Sequence, residues 1–138
     1  MEDAFEQMEF KNDVIFTGKV SESYLSRLYA SAFALLYISR FEGFGIPIIE
    51  AMKSNIPVIT SNTTSMPEVT GDAALLADPD NVEGITTQML ALDDNAQRRQ
   101  LIEAGSLRAK MFTWDRTANL LWQSIEKAIT TNHYPNKS

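Results

Sequence analysis

The rhythm of apolar and polar positions changes several times along the chain, and each change marks an element. Met1 to Phe10 sets Phe5 and Met8 among acidic residues and reads as the tail of a helix. Val14-Ile15-Phe16-Thr17 is β-branched and aromatic and ends at Gly18, which predicts a short buried strand. Between Ser21 and Ala32, residues Tyr24, Leu25, Leu28 and Tyr29 recur at helical spacing. Ser21 suits the N-cap of that helix and Glu22 its first turn. Phe33 to Ser39 is apolar throughout rather than alternating, as in a parallel-sheet strand buried on both faces.

Gly43 and Gly45 flank Phe44, and Pro47 opens a second helix that Asn55 and Pro57 stop. Pro57-Val58-Ile59-Thr60-Ser61 is the next strand. Ser65-Met66-Pro67-Glu68 has the form of a capping box at the start of one helical turn. Ala74 to Ala77 is a last short strand. Asp80 to Glu83 has capping-box spacing again, and Val82, Ile85, Met89 and Leu92 follow on one helical face. Asp93 to Asn95 breaks the chain. Leu101, Ile102, Leu107 and Met111 predict another amphipathic face. A final helix from about Thr113 uses Leu120, Leu121, Ile125 and Ile129, and residues 131–138 form a polar tail. Strand and helix alternate first, then helices run together. The expected class is α/β, a parallel sheet with a helical C-terminal cover.

Composition narrows the chemistry. The 138 residues are 44% hydrophobic and 22% charged, enough apolar material for one core. The net charge of −6 argues against a nucleic-acid partner and against a polybasic membrane anchor. There is no cysteine, and the single histidine, His133, lies in the polar tail. Thiolate catalysis, a cysteine–zinc site and a Ser-His-Asp triad are thereby set aside. The apolar run Phe33 to Ile38 is far short of the ~20 residues that span a bilayer, and no signal peptide is visible. Chemistry is left to carboxylates, hydroxyls, lysines, arginines and backbone groups.

One segment concentrates such groups: Glu42-Gly43-Phe44-Gly45-Ile46-Pro47-Ile48-Ile49-Glu50. It joins the most apolar strand to a helix, and open α/β sheets bind ligands at the carboxyl ends of their strands. The glycines let a ligand meet backbone, and the helix starting near Ile46 offers free N–H groups and partial positive charge to a phosphate. Carboxylates accept from sugar hydroxyls, so Glu42 and Glu50 on either side suit a ligand of sugar, diphosphate and ribose. The plainer alternative is a strand–turn–helix junction, with Glu42 solvated and Glu50 serving its helix N-terminus. A glycosidase acid–base pair is a further alternative, which leaves the glycine-rich helix start unexplained. Asp78-Pro79-Asp80 spells a D-x-D metal–diphosphate motif, but Asp80 equally suits an N-cap. Trp114 and Trp122 read as packing residues of the helical cover, Arg98-Arg99 as a solvated helix face, and Lys53 as exposed.

The run Glu42-Gly43-Phe44-Gly45-Ile46-Pro47 through Glu50-Ala51 resembles the E-x7-E motif of glycosyltransferase family 4, also called group 1. These are retaining, nucleotide-sugar-dependent enzymes of the GT-B class, with two Rossmann-like domains. The resemblance continues in order through Val14 to Val20, Leu35 to Ile38, Pro57 to Ser61, Met66-Pro67-Glu68-Val69, Gly71 to Leu76 and Phe112-Thr113-Trp114. It implies a nucleotide-diphospho-sugar co-substrate, no metal and no cofactor. Glu42 is implied as the catalytic-centre residue on the donor sugar's hydroxyls, positioning and stabilising rather than attacking. Gly43, Phe44, Gly45 and Ile46 would meet the sugar and distal phosphate, Glu50 the ribose, and Lys19 and Val20 the nucleobase through backbone groups.

The resemblance also implies that the chain is part of a larger enzyme. The family's strand order is 3-2-1-4-5-6. This chain would supply strands 3 to 6 of an incomplete donor-binding domain over residues 1–130, without the family's basic pair for the diphosphate. Its edge at Leu35 to Ile38 would be open. A saccharide or lipid-linked acceptor would bind a separate N-terminal domain. The implied location is cytoplasmic, with a peripheral place at the inner membrane face open to the full-length enzyme. Other expectations stay beside this one. The chain is alternatively a standalone nucleotide- or sugar-binding module, or a structural fragment completed by another chain.

Overall fold

The computed structural model describes residues 2–131. His133 and, beyond Thr131, the predicted polar tail lie outside the described residues. A short helix α1 (Glu2–Glu6) and a 3-10 turn at Lys11–Asp13 lead to helix α2 (Glu22–Ser31). Then come β1 (Leu35–Tyr37), α3 (Ile46–Lys53), β2 (Val58–Ser61), α4 (Met66–Thr70), β3 (Leu75–Ala77), α5 (Val82–Ala91), α6 (Asn95–Ala109) and α7 (Trp114–Thr131).

The three strands form one parallel sheet in the order β1-β2-β3. Leu36 pairs with Ile59, and Thr60 pairs with Leu76. This is the order expected for the family's strands 4, 5 and 6. All of β2 is buried, because helices cover both of its faces. On one face Val58 joins a core built mainly from α3 and α4, with Ile48, Met52, Met66 and Val69. On the other, Ile59 packs with Leu92 after α5 and Leu101 of α6.

The end of α3 follows from its sequence. Asn55 takes a left-handed φ of 57° just past the C-cap Ser54. Asn55 N donates to Met52 O and Ile56 N to Ala51 O, the paired bonds of a Schellman ending. Pro57 then blocks any further turn and the chain enters β2. Helix α6 lies against α3 through its small buried residues Gly105 and Ala109, while Leu101, its third buried position, packs on Ile59 of β2. A Cβ on Gly105 would stand 3.1 Å from Met52 Cγ.

Several expectations are corrected. Val14 to Thr17 is not a strand, and Ile15 is 83% exposed. No described strand lies beside this segment to pair with it, and a lone β-branched run gains no ladder. The sheet therefore holds three of the four expected strands. Leu36 is 46% exposed, so β1 is covered on one face only. Ser65 is the N-cap residue of α4 as expected, but its side chain makes no capping bond; its Oγ donates to the Glu42 carbonyl instead. Asn81, not Asp80, caps α5, accepting from Gly84 N at 2.9 Å. Leu107 is exposed because α6 turns Leu101, Gly105 and Ala109 inward, and Met111, past the end of α6, is exposed as well.

The cover is also thinner than expected. Every side chain of α7 from Trp114 to Thr130 is exposed, Trp114 to 88%, so neither tryptophan packs in a core. Trp122 Nε1 donates to Glu126 Oε1 one turn on, a bond within the helix. Arg98 is not a solvated side chain. Its guanidinium stacks on Phe33 at 4.3 Å and its Nε is buried. Arg99 is exposed.

Candidate functional site

The carboxyl ends of the strands carry the predicted motif. The chain leaves β1 at Tyr37 and reaches α3 at Ile46 through a loop holding Glu42, Gly43, Phe44 and Gly45. Side chains from β2 and the segment after it fix this loop. Thr60 Oγ1 donates to the Tyr37 carbonyl at 2.8 Å. Ser39 N donates to Ser61 Oγ at 2.8 Å, and Ser65 Oγ donates to the Glu42 carbonyl at 3.0 Å. Hydroxyls of the last paired residue, Thr60, and of Ser61 and Ser65 beyond it thus continue the attachment of β1 and its loop to β2 and the segment after it as side-chain bonds.

Gly45 is the N-cap of α3 with φ 90°, a left-handed conformation that costs a side-chain-bearing residue energy. A Cβ there would also stand 3.0 Å from Met66 Cε and 3.1 Å from Ile48 Cδ1. Conformation and space both require glycine. Gly43 differs, since a Cβ on it would meet nothing within 4 Å. No side chain caps α3, so the electropositive end of this helix carries no carboxylate of its own. Phe44 and Ile46 are exposed, and Phe44 meets Phe112 edge-on at 5.8 Å between centroids.

Each motif glutamate is paired with a tyrosine. Glu42 is partly buried, and its Oε1 accepts from Tyr37 Oη at 2.7 Å. That hydrogen bond, with lesser help from burial, pushes the Tyr37 phenol above its ordinary pKa. Glu50 lies exposed on α3, and its Oε2 accepts from Tyr29 Oη at 3.2 Å. Burial first, then the charge and hydrogen bond of Glu50, push the Tyr29 phenol up to about 12. Both phenols therefore stay protonated donors across neutral pH.

The remaining predicted residues are distributed around α2. A groove of about 470 Å³ between α2 and α3 is lined by Tyr29, Glu50, Lys53 and Ser54 with Glu22 and Ser26. A second, of about 350 Å³, lies at the start of α2 and includes Val20, Ser21, Tyr24 and Arg27. Val20 thus borders a cleft, while Lys19 is exposed outside it and Glu42 lines neither groove. Ser21 caps α2 as expected, accepting from Tyr24 N. Of the D-x-D pair, Asp78 Oδ1 accepts from Asp80 N, and Asp80 Oδ1 is held by Arg40 at 2.6 Å.

Sequence reasoning missed Tyr29, Tyr37, Thr60, Ser61 and Ser65 as site-building residues. A signal existed for the tyrosines, because a phenol at the end of an apolar strand or on an inward helix face requires a partner for its hydroxyl. The serines and threonine carry no such signal, since their partners are backbone groups of a distant loop.

The sequence model of a family described as "Glycosyl transferases group 1" matches residues 1–108. O-antigen chain mannosyltransferase B of Escherichia coli is 45% identical over 101 residues, covering 72% of this chain and 26% of that protein. The MMP alpha-(1->4)-mannosyltransferase of Mycolicibacterium hassiacum is 34% identical over 124 residues, covering 86% and 30% respectively. Among solved structures, sucrose-phosphate synthase from Thermosynechococcus elongatus superposes with a TM-score of 0.78 and 25% identity, over 95% of this chain and 34% of that one. The chain thus spans about a third or less of the length of each of these relatives.

Proposed function

Because the chain belongs to the group 1 glycosyl transferases, we propose that it forms the donor-binding side of an enzyme that moves a hexosyl group from a nucleotide-diphospho-sugar to a saccharide or lipid-linked acceptor with retention. The observation that carries this reading is the order of groups at the end of β1. A tyrosine-held carboxylate, Glu42, stands directly before an uncapped helix that starts at a left-handed glycine, and Glu50 follows on that helix.

In this reading the free oxygen of Glu42 accepts from hydroxyls of the sugar, and stabilises the positive charge that develops on the sugar as the diphosphate departs. Backbone groups of Gly43, Phe44, Gly45 and Ile46 meet the sugar and the distal phosphate at the start of α3. Glu50 takes the ribose diol beside the α2–α3 groove, and the turn at Lys19 and Val20 meets the base. Neither a metal nor a cofactor takes part, and the nucleotide-sugar is a co-substrate. The mannosyltransferases among the relatives make a mannosyl donor the first to test. A cytoplasmic site of action, at the inner membrane face for the full-length enzyme, belongs to the same proposal; among the described residues no helix is long and apolar enough to cross a membrane.

Calorimetric titration of the 138-residue chain with GDP-mannose and UDP-glucose tests the reading. Saturable binding that Glu42→Gln and Glu50→Gln each weaken is the expected result. Absence of binding by the folded chain, or binding that neither substitution alters, would overturn it. The chain alone is expected to bind without transferring the sugar, since the acceptor would bind a separate domain; transfer by the purified chain would overturn its reading as one part of a larger enzyme.

A further inference from the structure

Glu42 is held from two directions by groups outside its own loop. Tyr37 Oη donates to its carboxylate, and Ser65 Oγ donates to its carbonyl. Both donors stand on anchored backbone. Tyr37 is the last residue of β1; its carbonyl accepts from Thr60, and its ring packs beside the core under α3. Ser65 directly precedes Met66, a fully buried residue whose Cε lies against Gly45.

The stereochemistry of the carboxylate makes this arrangement directional. An ionised glutamate offers lone pairs on two oxygens. With Oε1 engaged by the phenol, the carboxylate is held toward Tyr37 and Oε2 is left for a ligand. A glutamate without that bond samples several rotamers and presents either oxygen. The carbonyl bond to Ser65 fixes the other end of the same residue, so main chain and side chain are located together.

We propose that Tyr37 and Ser65 are positioning residues that hold Glu42 in a single orientation toward the hydroxyls of the bound sugar. Neither residue contacts the sugar; both act through Glu42. The inference rests on the donor-site reading above. It assigns a discrimination step to residues outside the E-x7-E motif, since the sugar, and not the nucleotide, is what the oriented carboxylate reads.

The test compares affinities of the full chain for GDP and GDP-mannose, and for UDP and UDP-glucose, by calorimetry. The readout is the ratio of nucleotide-sugar to nucleotide affinity for the pair that binds. Tyr37→Phe and Ser65→Ala are each expected to lower that ratio about fivefold, with affinity for the bare nucleotide unchanged. Ser65→Thr, which keeps the hydroxyl, is expected to hold the wild-type ratio. Glu42→Gln is expected to lower the ratio at least as far as either. Wild-type ratios in both Tyr37→Phe and Ser65→Ala, with a reduced ratio in Glu42→Gln, would overturn the inference and leave the donor site standing. Parallel loss of nucleotide and nucleotide-sugar affinity would overturn it as well, because a merely structural role predicts that. A ratio that Glu42→Gln leaves unchanged, or a folded wild type that binds neither pair, would overturn the donor-site reading and this inference with it. If Tyr37→Phe does not fold, Ser65→Ala and Ser65→Thr decide the question alone.

Discussion

Tyr29 donates from α2 to Glu50 on α3 at 3.2 Å, so the second motif glutamate is fixed by a residue 21 positions before it. This bond predicts a specific alkaline response. The Tyr29 phenol loses its proton at about 12 in the folded protein against 10.0 for an ordinary tyrosine. The folded state therefore holds this proton more tightly. Its stabilising contribution is complete below pH 10 and is lost as pH rises from there through about 12. Urea midpoints of the wild type and Tyr29→Phe are expected to differ by a constant below pH 10 and to converge above it. Glu50→Gln is expected to lower the Tyr29 value only in part, because burial is the larger cause.

Gly45 and Gly43 offer a matched pair of substitutions. Gly45→Ala forces a side chain into the left-handed region and toward Met66 Cε, and is expected to cost about 1–2 kcal/mol. Gly43→Ala meets open space and is expected to stay within about 0.5 kcal/mol of the wild type. Chemical denaturation of the two variants checks the difference. Equal effects would contradict the assignment of Gly45 as the conformationally required glycine.

Arg108 joins α6 to the end of α4. Its Nε donates to Val69 O at 2.9 Å, its Nη2 donates to Glu68 O, and its guanidinium lies 5.4 Å from the Phe112 ring centroid. Lysine cannot reproduce this fork and stack. Arg108→Lys is therefore expected to destabilise by about 1–3 kcal/mol, nearly as much as Arg108→Ala, in equilibrium unfolding.

β1 stands at one edge of the sheet, with Leu36 and the preceding Phe33 exposed. Such an edge pairs readily with another strand. The 138-residue chain is expected to self-associate as its concentration rises, and Leu36→Lys is expected to suppress this without lowering the unfolding temperature. Light scattering across a dilution series measures both variants. A monodisperse wild-type monomer at all concentrations would refute the expectation.

The legible parts of the sequence were those governed by local chemistry. Ser21 as a cap, Pro47 in the first turn of α3 and the stop at Asn55 and Pro57 follow from residue type and spacing, while the order of the three strands came from the family resemblance. The illegible parts depend on what lies beside them in space. Val14 to Thr17 has strand composition, but a strand needs a neighbour, and none is present among the described residues. Ser65 has the spacing of a cap, yet the Glu42 carbonyl competes for its hydroxyl and wins. Leu107 lies outside because Gly105 allows α6 to approach α3 closely on another face. The E-x7-E glutamates were visible as candidates; the tyrosines signalled only that their hydroxyls need partners, because Tyr29 reaches Glu50 only after α2 and α3 have packed.

The bond from Ser39 N to Ser61 Oγ has a consequence for the energetics of recognition. It ties the first residues of the loop to β2, as Ser65 ties the middle of that loop. Chain that is already confined loses little conformational entropy when a ligand arrives. In the donor-site reading proposed above, binding at this loop would carry a small entropic penalty from ordering.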